Sequence, residues 1–335
     1  MKRKLSILLL VAFCTIVSAQ DKEAMSQYQN QLNELFQLVQ SAPTDNERYN
    51  ANELAVQTFS EALSLDGSFK WEWKLGKYVS VLTSPDKKLR VITWPVVTDE
   101  GEYECFGFMQ VFDPKEETYV VSTLHDKSDE IINVEESLLT PDQWLGAVYQ
   151  QLIQTEYEDR TYYTLLGWTG INNMIQRKVI EPVCFRGSNP RPIFGQALFR
   201  REKNLRRVVL DYSRNAMVNL NYSRQFTRDI ERKRVKTGKG KNQRMMTVKE
   251  AHDTERNMII FDEIGPQIPG MEGLFQYYVP TGVENAYIFV NGRWELHNNA
   301  QGRVPNDRLN QDFNTPHQKS APSYQLRHKA ATENE

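Results

Sequence analysis

The side chains of this chain most able to do chemistry are two internal cysteines, a few scattered histidines and one dense run of lysines and arginines. A cysteine nucleophile needs an imidazole nearby to hold its thiolate. Cys105 or Cys184 with His125 is the pairing the sequence offers, and no local signature accompanies either. Two cysteines kept as small buried hydrophobes explain the same residues. The elbow Gly-x-Ser-x-Gly, which lifts a serine hydroxyl toward its base, does not occur. Nor does His-Glu-x-x-His, which would place two imidazoles on one helix face for zinc. His125, His252, His297, His317 and His328 lie far apart. Gly238 and Gly240 sit among lysines but lack the spacing and preceding strand of a phosphate-binding loop. The acidic turn from His125 to Glu130 offers oxygen donors without the glycine and ligand period of a calcium loop. Glu102 and Glu104 share one face of a strand, as outward positions of a half-buried strand also would. No catalytic residue, metal site or cofactor is assigned on these patterns.

Charge carries more information than motif. Residues 98–160 hold sixteen acids against three bases, and residues 200–249 hold sixteen bases against four acids. The formal charge of the whole chain is −2, so the two stretches nearly cancel. Within the basic stretch, residues 228–249 carry Arg232, Lys233, Arg234, Lys236, Lys239 and Lys241 with few apolar neighbours. The pattern predicts a mobile basic loop inserted between strands. These six of its cations form a candidate anion-binding site, for an anionic envelope component or an acidic protein. A solvated loop neutralised by the acidic stretch is the rival. Tyr212, Tyr222 and Phe226 could stack on bases, but the export reading below weighs against nucleic acid.

The chain opens on Lys2-Arg3-Lys4, runs apolar from Leu5 to Val17 and exits through Val17-Ser18-Ala19. A basic start, a short apolar middle and a small-residue exit predict a signal peptide over residues 1–19, cleaved after Ala19. Thirteen apolar residues are too few for a hydrocarbon core, which takes about 20. The mature chain is therefore expected in the periplasm or outside the cell, and not membrane-spanning. Removing Cys14 with the leader leaves Cys105 and Cys184, an even pair in an oxidising compartment and so candidates for a disulfide.

The elements follow from periodicity. Tyr28, Leu32, Leu35, Phe36 and Val39 recur at spacings of three and four, one stripe on a helix that Pro43 breaks. Thr44 with Glu47 forms a capping box for a second helix, so residues 20–66 read as a helical hairpin. From residue 67 to 298 about a dozen short runs rich in β-branched and aromatic residues alternate with turn chemistry. One helix is expected among them, over residues 141–156, since Trp144, Leu145, Val148, Leu152 and Ile153 share a helical face. The fold class is mainly β: an antiparallel sandwich, barrel or propeller-like domain behind an α-helical hairpin. Residues 299–335, rich in Asn, Gln, Pro and Lys, read as a disordered tail.

The runs Tyr162 to Trp168, Pro192 to Gly195, Arg207 to Ser213, Ile259 to Asp262 and Asn291 to Trp294 resemble exported proteins of Bacteroidota with no known activity. The likeness spans residues 69–296 and adds compartment, not mechanism. Taken together, the expectation is a non-catalytic exported binding or envelope-assembly protein. An envelope hydrolase whose carboxylates converge only in the fold is the alternative.

Overall fold

The computed structural model describes residues 2–186, 190–200, 204–237, 244–298 and 300; within these, the side chains of residues 2–21, 186, 227–231, 244 and 251–253 are not described. The expected tail therefore lies outside the described residues, as do Lys239 and Lys241. Contacts divide the chain into a larger unit, which takes in the chain to Arg224 and again from Arg256, and a smaller one containing Gln225–Glu255.

Helices α1 (Lys2–Ser41) and α2 (Asp45–Leu63) form the expected hairpin. Thr44 caps α2 as expected: Glu47 N donates to Thr44 Oγ1 at 3.3 Å, and the Thr44 hydroxyl donates to the Glu47 carboxylate at 2.8 Å. Behind the hairpin stand three antiparallel sheets. The first holds β1 (Ser80–Thr83), β2 (Leu89–Val97), β3 (Tyr103–Asp113) and β4 (Thr118–His125) in chain order. The second holds β5 (Val148–Tyr157), β6 (Arg160–Gly170), β7 (Ile175–Arg186) and β8 (Arg191–Phe194), with β9 (Val208–Ser213) also pairing β7. The third holds β10 (Leu220–Thr237), β11 (Arg244–Pro266), β12 (Tyr278–Val290) and β13 (Arg293–His297).

Strand alternation stacks these layers. On β2, Ile92, Trp94 and Val96 meet Leu32, Phe36 and Phe59 of the hairpin, while Leu89 and Val91 face the second sheet. On β6, Tyr163 and Leu165 point back to the first sheet, and Leu166 points on toward Ile259, Phe261 and Tyr287 of the third. The order is helices, sheet, sheet, sheet. The domain is thus a layered sandwich, mainly β, with no sheet closed into a barrel among the described residues. The hairpin belongs to the same compact unit as the sheets rather than standing apart.

Two expectations fail, each for a physical reason. Residues 141–156 are not a helix: they form a loop and then β5. The pairing of β5 with β6 slips between Tyr149 and Gln151, a bulge that adds one residue to the strand. Tyr149 and Leu152 consequently face the same core at a spacing of three, the spacing of a helix. The described residues of the basic segment are not a loop either. Up to Thr237 they belong to β10 and from Arg244 to β11, neighbouring strands that form a ribbon.

Candidate functional site

The charged residues the fold gathers most tightly lie between the first two sheets. Arg207 and Glu181 are both fully buried, with Arg207 Nε 2.6 Å from Glu181 Oε1. The other carboxylate oxygen accepts from the Tyr149 hydroxyl at 2.5 Å, and Tyr149 in turn accepts from Trp144 Nε1 at 2.8 Å. Arg207 Nη1 donates to the carbonyls of Val134 and, at 2.9 Å, Ser137. Gly195, at φ +87°, makes room for this: a Cβ there would stand 2.8 Å from Arg207 Nη2. Burial, then the adjacent Glu181 charge, hold the Tyr149 phenol well above its ordinary pKa, so it stays a donor. Every member lies inside the packed core, and the network meets no solute unless the core opens. Its chemistry is that of a clamp.

The residues singled out by sequence are placed as follows. Cys105 and Cys184 are not joined by a disulfide. Cys105, on β3 of the first sheet, sets its sulfur 3.4 Å from the Thr169 hydroxyl, while Cys184 lies on β7 of the second sheet, opposite Ile193. Two partners on separate layers are brought near only if the stacking aligns them, which an even count cannot reveal. Burial, followed by Asp126, pushes the Cys105 thiol pKa up, the opposite of what a nucleophile needs. In the acidic turn, Asp126 points inward and accepts from the backbone N–H groups of Cys105 and Ser128 at 2.9 and 3.0 Å. Burial raises its pKa, and Gly146 leaves the space its carboxylate fills. Among the described residues, no group of three His, Cys, Asp or Glu is placed to hold a metal ion. Glu102 and Glu104 are both exposed, and burial, then the Glu104 carboxylate, raise the pKa of Tyr49 on α2.

Strand pairing also brings together a carboxylate pair that sequence reasoning missed. Asp262 of β11 stands opposite Glu284 of β12, and burial, then the Asp262 charge, raise the Glu284 pKa. Asp262 is already engaged, accepting from Asn219 N at 2.6 Å, and so ties down the start of β10. The two acids are 22 residues apart in sequence, and only the register of the hairpin could have disclosed them.

The remaining candidates lie on the ribbon. Arg232, Lys233, Arg234 and Lys236 are all exposed on β10. Lys233 Nζ lies 2.8 Å from a Glu250 carboxylate oxygen on β11, so its described ion-pair partner comes from the neighbouring strand and not from the acidic stretch. That contact also fixes which side chains share a face. With period-2 alternation, Lys233, Val235 and Thr237 line up with Met246, Val248 and Glu250. Arg232, Arg234 and Lys236 line up with Met245, Thr247 and Lys249 on the other side. The second face holds four cations and no acid among its described residues. Strand β12 pairs β11 only from Met258 onward, so this part of the ribbon has two strands. No protein-family model, curated protein or solved structure matches the chain.

Proposed function

We propose that this chain is an exported, non-catalytic binding or envelope-assembly protein that engages an anionic partner through the β10–β11 ribbon. The observation that carries the reading is the face of Arg232, Arg234, Lys236 and Lys249, all exposed. Four like charges on one strand face repel one another, and an anion relieves that repulsion. The field they create is screened beyond about 8 Å at physiological salt, so binding should weaken steeply as salt rises.

The test is affinity for a soluble polyanion, heparin, across a salt series. Replacing Arg232, Arg234, Lys236 and Lys249 with glutamine is expected to weaken binding by about thirtyfold, from roughly 0.5 kcal/mol for each exposed charge contact. The melting temperature should stay put, because these side chains are solvated. A lowered melting temperature with unchanged affinity would instead mean that the cations serve internal neutralisation.

Export is the other half of the proposal, and it rests on the leader pattern of residues 2–19. Terminal mass analysis of protein recovered from the cell envelope is expected to find Gln20 first. Soluble protein that still begins at Met1 would remove this half.

A further inference from the structure

The ribbon's two faces differ in kind, and the difference narrows the partner. Opposite the cationic face stand Val235, Met246 and Val248, 42%, 55% and 37% exposed, with Thr237 and the mutually neutralised Lys233 and Glu250 around them. Met245, on the cationic side, is 58% exposed. A two-stranded ribbon with both faces in water gains little from burial, and such hairpins are marginal on their own. Something that covers the apolar face would stabilise it. A soluble anionic glycan or acidic peptide would satisfy the cations and leave the apolar side chains in water. The surface of an anionic bilayer serves both faces at once. An element with one apolar and one basic face settles in the interface plane, its apolar side about 5–10 Å into the boundary between headgroups and acyl chains. At that depth the arginines and lysines stand among the phosphates, and their long stems let the charges reach them.

We infer that the β10–β11 ribbon is an interfacial membrane-docking element, with Val235, Met246 and Val248 turned to the acyl chains and Arg232, Arg234, Lys236 and Lys249 turned to anionic headgroups. This rests on the anion-binding reading above and names the partner within it.

Vesicle flotation of the full-length chain tests it, with phosphatidylethanolamine–phosphatidylglycerol vesicles set against phosphatidylcholine alone. Three proteins are compared: the natural sequence, a cation variant (Arg232→Gln, Arg234→Gln, Lys236→Gln) and an apolar-face variant (Val235→Ser, Met246→Ser, Val248→Ser). All carry the same residues 1–19, so differences among them report the ribbon. Each cation variant charge should count for several-fold, giving about a hundredfold loss on anionic vesicles. The apolar-face variant should also lose about a hundredfold there, yet bind heparin as the natural sequence does. If it floats with anionic vesicles as well as the natural sequence does, the bilayer assignment is overturned while anion binding stands. If the natural sequence binds neither heparin nor anionic vesicles above phosphatidylcholine, both readings fall. Should the triple apolar change lower the melting temperature, Met246→Gln alone carries the comparison, since it alters one exposed side chain.

Discussion

Arg207→Met is expected to destabilise the protein by about 4 kcal/mol, a large fraction of the stability a domain typically has. The substitution removes the cation that offsets Glu181 and strands a buried carboxylate with the Tyr149 hydroxyl as its remaining described partner. It also frees the carbonyls of Val134 and Ser137, which lose their donor. In a domain this size the melting temperature should fall by roughly 10 °C. The double variant Arg207→Met with Glu181→Met distinguishes an ion-pair cost from a packing cost. Exchanging a buried pair for apolar side chains of similar volume is often close to neutral, so the double change should recover most of the loss. Thermal denaturation of the four proteins in that cycle checks it. A double variant as unstable as the worse single one would mean that the site matters for shape, not charge.

Trp94→Ala is expected to cost about 4–5 kcal/mol and to loosen the helical hairpin before the sheets. The indole is fully buried and is the seam between the layers. Its ring centroid lies 5.3 Å from those of Phe36 of α1 and Phe59 of α2, and 6.1 Å from that of Phe108 of β3. Its N–H donates to Asn52 Oδ1 of α2 at 2.7 Å, within the buried seam. Truncating a core tryptophan typically costs about 3–5 kcal/mol, and the abandoned Asn52 carbonyl adds to it. Trp94→Phe keeps the packing and drops the hydrogen bond, so about half the loss should remain. Hydrogen exchange is the sharper measurement. Amides of α1 and α2 should exchange faster in Trp94→Ala, while β6 and β7, which pack on the far side of the first sheet, keep their protection. Uniform acceleration would mean that hairpin and sheets open together.

Much of the fold could be read from the chain because its determinants are local. The Asn291-Gly292 turn is an example: both residues take positive φ, 50° and 76°, and join β12 to β13 as the dipeptide predicts. Where reading failed, a neighbour in space had overridden the pattern. Strand β7 is hard to read from sequence because Lys178, Glu181 and Pro182 interrupt its apolar run, yet it lies at the centre of the second sheet. Glu181 is tolerated there only because Arg207 and Tyr149 meet it. The ribbon reads as a loop because its charges deny it a core, but β-pairing needs none to begin, and β10 and β11 are neighbours in the third sheet.

Sequence alone therefore settled the helical hairpin, the antiparallel β character and the separation of charge into acidic and basic stretches. Capping, turns and two- or four-residue periods act between neighbours along the chain, and a linear reading captures them. Tertiary structure decided which charges meet. Glu181 and Arg207 are 26 residues apart, and the antiparallel pairing of β7 with β9, which sets Ile180 opposite Val208, brings them within 2.6 Å. It also decided the chemistry of the ribbon's faces. A run of cations has no sides until it is extended and paired. Once Lys233 meets Glu250, alternation sends Arg232, Arg234 and Lys236 one way and Val235, with Met246 and Val248, the other.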